Sequence, residues 1–405
     1  MTRRAKRITL VHYTTPSILG GVEQVMGAHA SALRDAGARV TIVAGRGRAT
    51  RGVRLVKIPE ADSRHAVVQR DFDSLARGER GKGHDALVQR LERALRPHVA
   101  DADRVVVHNV LTMHKNLALA EAIARLAAAH PGKVIAWTHD LAWCDPQYAA
   151  QRHRGDPWDL IARALPGVRY VAVSEERAKQ LAQLVGLPLR KVSVVTNGVA
   201  LGTVLGLSAP GAALVARLGL GDADPLLLLP ARITRRKRIE AAIDAVAELR
   251  SRGRAAMLVV TGSPGPHNRA NVAYLDDLVA RAAKVEGAHL LFALGHRPTD
   301  RTMADLYSLA DALVLPSESE GFGIPILEAG LRRLPIVCSD LATLRAVAGD
   351  GATYVPPEAN GATIADAVLR ALDNETARRA SRAKAHAWSR VTRERVLPVI
   401  LEDAQ

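Results

Sequence analysis

Short unbroken apolar runs alternate with longer stretches of helical period along nearly the whole chain. This alternation limits the fold more than any other feature. The runs lie at residues 8–13, 39–44, 55–58, 104–108, 134–138, 170–173 and 192–196, and again at 226–229, 257–261, 290–293, 313–315, 336–338 and 353–355. Helical stretches such as 23–36, 116–129, 175–185, 239–252 and 274–285 separate them. Most runs lack polar alternation, the pattern of strands covered on both faces and hence of a parallel sheet flanked by helices. The expected fold class is α/β, doubly wound.

Residues 199–225 break the alternation with Pro210, Gly211, Gly219 and Gly221, and strand signals resume at Leu226. A boundary near residue 200 gives each half enough strands for one Rossmann-like sheet, 1–200 and 201–387. Two such sheets facing each other would line a cleft with their strand carboxyl ends, where ligands bind. No run approaches the roughly 18 apolar residues of a bilayer-spanning helix. Arg3, Arg4, Lys6 and Arg7 mimic a signal-peptide flank, but the apolar run behind them is short and interrupted by His12.

Charge narrows the partners. The 405 residues carry a formal net charge of +15, which points to anions: nucleic acid, an acidic membrane surface or a phosphorylated small molecule. Aromatic residues make up only 3%, too few for a base-stacking surface, so nucleic acid is not expected. Residues 1–200 hold 31 Lys and Arg against 18 Asp and Glu, and residues 201–405 hold 25 against 23. The excess sits on the first half. Its Arg-rich stretch at 46–96 reads as solvated surface. Cys144 and Cys338 form no disulfide framework, which suggests a reducing, cytoplasmic compartment and two buried thiols.

The densest chemistry lies at Pro316-Ser-Glu-Ser-Glu-Gly-Phe-Gly-Ile-Pro-Ile-Leu-Glu-Ala329, directly after a buried run. Gly321 and Gly323 let the backbone turn sharply, and Pro325 suits the first turn of a helix. The N–H groups of Gly323 and Ile324 would then face an anion at the helix start. Glu320 precedes this turn and Glu328 follows about one helical turn inside. Arg232 and Lys237 follow the run 226–229, close enough to reach one diphosphate. Metal chemistry has little support. The Asp71/Asp73, Asp101/Asp103 and Asp222/Asp224 pairs follow no buried run, and no His/Cys cluster has zinc spacing. A P-loop and a dinucleotide fingerprint are also missing.

Glu320-x7-Glu328 in this setting resembles the signature of the family 4 glycosyltransferases, retaining enzymes of the GT-B fold. The likeness extends to the Gly20-Gly21 loop with its helix and strand (18–43), to the donor-phosphate segment (231–246), to 306–317 and to 387–396. It implies two Rossmann-like domains, with a last helix near 388–405 crossing back onto the first. By this resemblance Glu328 binds the ribose hydroxyls of a nucleoside-diphosphate sugar and Glu320 binds the donor sugar. Arg232 and Lys237 hold the pyrophosphate. Gly20, Gly21, Gly321, Phe322, Gly323 and Ile324 approach the donor, and Arg297 borders its base. His139, after the run 134–138, contacts a donor hydroxyl or the transferred group; the alternative is a structural histidine satisfied by a backbone carbonyl. His108 and Asn109 read as structural. Acceptor contacts belong to the first half, with His114, Lys115, Trp143 and Tyr148 as candidates. The sequence departs from the family at Ala231 and Arg238, where glycines are usual.

The implied reaction moves a sugar from a UDP- or GDP-linked donor to an acceptor hydroxyl, with no metal and no further cofactor. Placing the charge excess on the acceptor half makes an anionic or lipid-linked acceptor the expectation, with the protein cytoplasmic or peripheral at the inner membrane surface. The alternatives are a GT-B-fold epimerase or phosphorylase, and a non-catalytic protein held at membranes by charge.

Overall fold

A computed structural model of the chain describes residues 4–264 and 270–402. Arg3 lies outside the described residues. Contacts divide the chain into two units. One runs to Gly198 and is rejoined from Trp388 onward; the other is Val199–Ala387.

The first unit is built on seven parallel strands, β1 Arg7–Val11, β2 Arg39–Ala44, β3 Arg54–Lys57, β4 Arg104–His108, β5 Val134–Thr138, β6 Val168–Ala172 and β7 Val192–Val194. Their spatial order is β3-β2-β1-β4-β5-β6-β7, so the winding reverses between β1 and β4. Helices α1 Gly21–Asp35, α2 Ala66–Leu75, α3 Lys82–Ala100, α4 Leu117–Ala129 and α5 Glu175–Val185 make the crossovers. The returning segment buries Val391, Val396 and Ile400 against Ile8, Leu10, Val106 and Trp137 of the sheet. Gly198 admits it: a Cβ there would stand 2.5 Å from Trp388 Cδ2.

The second unit has six parallel strands, β8 Leu226–Leu229, β9 Met257–Val260, β10 Ala288–Leu290, β11 Ala312–Leu315, β12 Ile336–Ser339 and β13 Thr353–Val355. The order β10-β9-β8-β11-β12-β13 puts its reversal between β8 and β11. Helices α6 Leu201–Val204 and α7 Ala209–Leu218 precede β8. They are followed by α8 Ile239–Ser251, α9 Ala270–Ala282, α10 Asp300–Leu309 and α11 Ile324–Leu331. In a doubly wound sheet the crevice at the reversal is where ligands bind. Among the described residues no helix is long and apolar enough to cross a membrane.

Three expectations need correction. The run 290–293 is not a strand: pairing ends at Leu290, and the chain turns through Gly295 at φ +71 while Leu291 stays buried. Leu290 and Leu291 fill the core, while Phe292 is half-buried and Ala293 is exposed. The Arg-rich stretch 46–96 is more than surface, since α2 and most of α3 lie in it. Leu87, Leu91 and Leu95 recur every four residues and are buried, with the arginines on the other faces. Cys144 is exposed, and only Cys338 is a buried thiol.

Candidate active site

The reversal in the second unit brings two loops together. After β8 the chain passes Ala231 and Arg232 to a single helical turn, Arg235–Lys237. After β11 it passes Ser317 to Glu320. Because β8 and β11 are hydrogen-bonded neighbours, residues 83 apart in sequence meet: Lys237 Nζ pairs with Glu320 Oε1. Ser317 Oγ donates to the same oxygen at 2.7 Å, and Arg236 faces the other at 3.6 Å. The loops are also joined by Glu318 N–H donating to the Arg236 carbonyl at 2.8 Å. Glu320 is therefore a nearly buried carboxylate held by a cation and a hydroxyl. Arg232, on the turn that leaves β8, extends into solvent.

Both departures from the family pattern have local explanations. Arg238 has φ +48, the left-handed region that favours glycine, at a cost of about 1 kcal/mol. Its guanidinium offsets this by donating to the Pro357 and Glu358 carbonyls. Ala231 is buried because a different glycine, Gly262, lets two backbones approach: a Cβ on Gly262 would lie 2.7 Å from Arg232 Cα.

Gly323 caps α11 at φ +100, as the sharp turn requires, while Phe322 and Ile324 are exposed. Glu328, on the second turn of α11, is exposed and accepts a 2.5 Å hydrogen bond from Tyr307 Oη of α10. One carboxylate oxygen is thus fixed by Tyr307 on an otherwise exposed side chain. Arg297 is exposed, with its guanidinium 5.7 Å from the Phe292 ring centre.

The first unit contains a cavity of about 780 Å³ at its own reversal. Of the residues singled out in the sequence, Gly21, Lys115, His114 and Asn109 line it; Gly20, Trp143, Tyr148 and His139 do not. Gly20 instead caps α1 and leaves room for the Glu23 carboxyl, whose carbon a Cβ would approach to 2.8 Å. Trp143 packs inward, its Nε1–H donating to the Trp158 carbonyl, with Arg152 over its ring. Tyr148 stands edge-on to His114, which is buried and bonded to Gln151 at 2.9 Å.

His139 directly follows β5 but is buried, and its Nε2 lies 3.5 Å from His108 Nδ1. Burial lowers its pKa to about 4, so the ring is neutral near pH 7. Asn109, at φ +54, shapes this corner by accepting the N–H groups of His139 and Asp140. His108 is buried, and its backbone carbonyl accepts the Nδ1–H of His12 at 2.7 Å.

Sequence reasoning missed several cavity residues. His12, just past β1, faces Glu23 Oε1 at 3.6 Å, and Thr14 Oγ donates to that oxygen at 2.5 Å. The His12 contact, helped by Thr14, holds Glu23 down to about 2 against the opposing effect of burial. Arg64 and Lys115 are exposed basic residues of the lining, while Arg46 is tied to Asp62 at 2.7 Å. The signal for Glu23 was present in Gly20-Gly21-Val22-Glu23; Arg64 and the α2 residues were hidden in the Arg-rich stretch. Among the described residues no group of His, Cys, Asp and Glu is arranged to hold a metal ion.

Known proteins match along both units. The family described as Glycosyltransferase Family 4 matches residues 19–202, and that described as Glycosyl transferases group 1 matches residues 213–388. A D-inositol 3-phosphate glycosyltransferase of Kineococcus radiotolerans is 35% identical over 57% of this chain and 56% of its own length. One of Nocardia farcinica is 32% identical over 46% and 40%. An alpha-D-kanosaminyltransferase of Streptomyces kanamyceticus is 33% identical over 39% of each. The chain spans about half the length or less of these curated relatives. A solved sucrose-phosphate synthase from Thermosynechococcus elongatus is 17% identical, with a TM-score of 0.40 over 96% of this chain and 97% of that one. With both family matches falling in order on two parallel α/β units, the chain belongs to the family 4 glycosyltransferases and has a two-domain GT-B fold.

Proposed function

We propose that this chain is a retaining glycosyltransferase that moves a sugar from a nucleoside-diphosphate sugar, UDP- or GDP-linked, to a hydroxyl of an anionic acceptor. The observation carrying this reading is the Lys237–Glu320–Ser317 cluster at the β8/β11 reversal, with Glu328 on the helix that follows. The donor is read into residues 201–387 and the acceptor into the cavity of residues 1–200.

In this reading Glu328 accepts hydrogen bonds from the ribose hydroxyls. Glu320, already oriented by Lys237 and Ser317, accepts from sugar hydroxyls. Lys237 and Arg232 stabilise charge on the departing diphosphate. The bond from the anomeric carbon to the phosphate oxygen breaks while a bond to the acceptor oxygen forms on the same face. The acceptor's proton passes to the leaving phosphate, so no separate general base is needed. Neutral His139 acts through an N–H or lone pair near the transferred group. No metal and no further cofactor enter.

The anionic acceptor is supported by Arg64 and Lys115 in the cavity lining, the two lining bases with no ion pair among the described residues. Two relatives named above are called D-inositol 3-phosphate glycosyltransferases, and we read a phosphorylated polyol as the acceptor class. The exposed basic surface fits work on the cytoplasmic side, peripheral to an acidic membrane.

Melting the protein with UDP, GDP, ADP and their sugars identifies the donor, because a ligand of the native state raises Tm. Lys237→Ala and Glu320→Gln are each expected to lower turnover by about 100-fold or more. Full transfer activity in either variant overturns the assignment.

A further inference from the structure

Behind the cavity wall lies a buried charge cluster that the reaction does not use. His84, on α3, has a side chain only 1% exposed. Its Nδ1 lies 2.9 Å from Asp71 of α2, and its Nε2 lies 3.1 Å from Glu121 of α4. A neutral imidazole carries one N–H and one lone pair, and ionised carboxylates only accept. Both contacts are satisfied together only by the imidazolium, so His84 is a buried cation bridging two helices. Around it, Arg80 pairs with Glu121 and Asp85, and Arg125 pairs with Glu121 and Glu92.

The two bridged helices carry opposite parts of the cavity. On α2, Phe72 and Gln69 line it; His114 and Lys115 line it from the turn that leads into α4. Asp71 is the immediate neighbour of Phe72, whose ring lies 5.8 Å from that of His114. Val68 and Leu75 are the buried residues of α2, with Val67 and Phe72 partly buried against the same core, and the His84 contact adds a polar tie to this apolar packing.

We infer that His84 is the positioning residue of the acceptor cavity, its imidazolium clamping α2 to α4 so that Phe72 and Gln69 stand opposite His114 and Lys115. This rests on the reading of the cavity as the acceptor site.

The test uses the full chain with D-inositol 3-phosphate as probe. Calorimetry gives its affinity, and amide hydrogen exchange reports on α2. His84→Gln removes the cation; His84→Lys restores a cation with several donors. The expected result is a loss of affinity of about tenfold or more in His84→Gln, with faster exchange confined to α2. His84→Lys returns both to within about threefold of the parent. A merely structural role would neither confine the faster exchange to α2 nor give rescue by lysine. Lys115→Ala separates the two readings. If it weakens binding while His84→Gln does not, the clamp is refuted and the acceptor cavity stands. If the parent does not bind the probe, or Lys115→Ala has no effect, the acceptor cavity itself is refuted and the inference falls with it.

Discussion

Gly262 offers a sharp test of how the second unit positions its cations. It lies just past β9, against the turn that leads from β8 to Arg232. Its φ is not in the left-handed region, so alanine is conformationally acceptable and only space is at issue. A Cβ there would lie 2.5 Å from the Ala231 carbonyl carbon and 2.7 Å from Arg232 Cα, where ordinary contact begins at 3.4 Å. These neighbours are backbone, so no flexible side chain can swing away. Relief requires the Ala231–Arg232 segment to move by about 1 Å. Forced overpacking of this kind costs about 1–3 kcal/mol, and backbone clashes belong at the upper end. For a unit of this size Gly262→Ala should lower Tm by roughly 6–12 °C at the 3 kcal/mol end. A 1 Å misplacement of catalytic groups can cost about 100-fold in rate, which is the loss expected in sugar transfer. Gly330→Ala is the control: Gly330 is exposed on α11 with nothing within 4 Å of the new Cβ. Melting curves and turnover of the two variants suffice. A Gly262→Ala protein that melts within about 1 °C of the parent and keeps its turnover refutes the claim that this close approach sets the Arg232 turn.

Tyr307→Phe removes the hydroxyl that orients Glu328. One lost hydrogen bond is worth about 1 kcal/mol, so the KM for the donor should rise about fivefold with kcat little changed; a collapse of kcat would instead give Tyr307 a role in the chemical step. Stability should depend on pH through His84. Burial alone would lower its pKa, but Asp71 and Glu121 more than reverse this and raise it from 6.5 to about 9. The contribution is complete below about 6.5 and is lost as pH rises through about 9, at most about 3 kcal/mol. Denaturant midpoints from pH 7 to 10 should fall in the parent and stay flatter in His84→Gln; equal slopes exclude His84 as the source.

The parts of the site that were legible in sequence are those fixed by local chemistry. A glycine-bearing turn with carboxylates at a set spacing after a buried strand reads directly, because each residue acts within about a dozen positions of the others. The Lys237–Glu320 pair was legible only as two residues after two strands; their meeting depends on β8 and β11 being neighbours, which is a property of the winding. Arg238 shows a different limit. The missing glycine was visible, but its left-handed backbone and the Pro357 and Glu358 carbonyls that compensate it were not. His84 was invisible for a third reason. Amid arginines its neighbourhood looked solvated, yet a four-residue leucine period had already placed one face of α3 in the core.

The charge excess of the first half also takes on a different meaning. The cavity is not where it resides. The lining bases Arg46, Arg64 and Lys115 are matched in number by Glu23, Asp62 and Asp140, so the cavity has no formal surplus. The excess must lie on outer faces, where Arg39, Arg48, Arg51, Arg77, Arg154 and Arg190 are exposed. Charges there act over a Debye length of roughly 8 Å at physiological salt, attracting anionic surfaces without choosing among anions. Choice requires contact. Within the cavity, Arg46 is engaged by Asp62, whereas Arg64 and Lys115 remain open, and Glu23 is a fixed, ionised carboxylate of the same lining. Such a lining suits an acceptor with an anionic group for the bases and hydroxyls for the carboxylates. In the proposed reading the net charge would govern how an anionic acceptor is approached, while the arrangement of a few side chains would determine which acceptor is held.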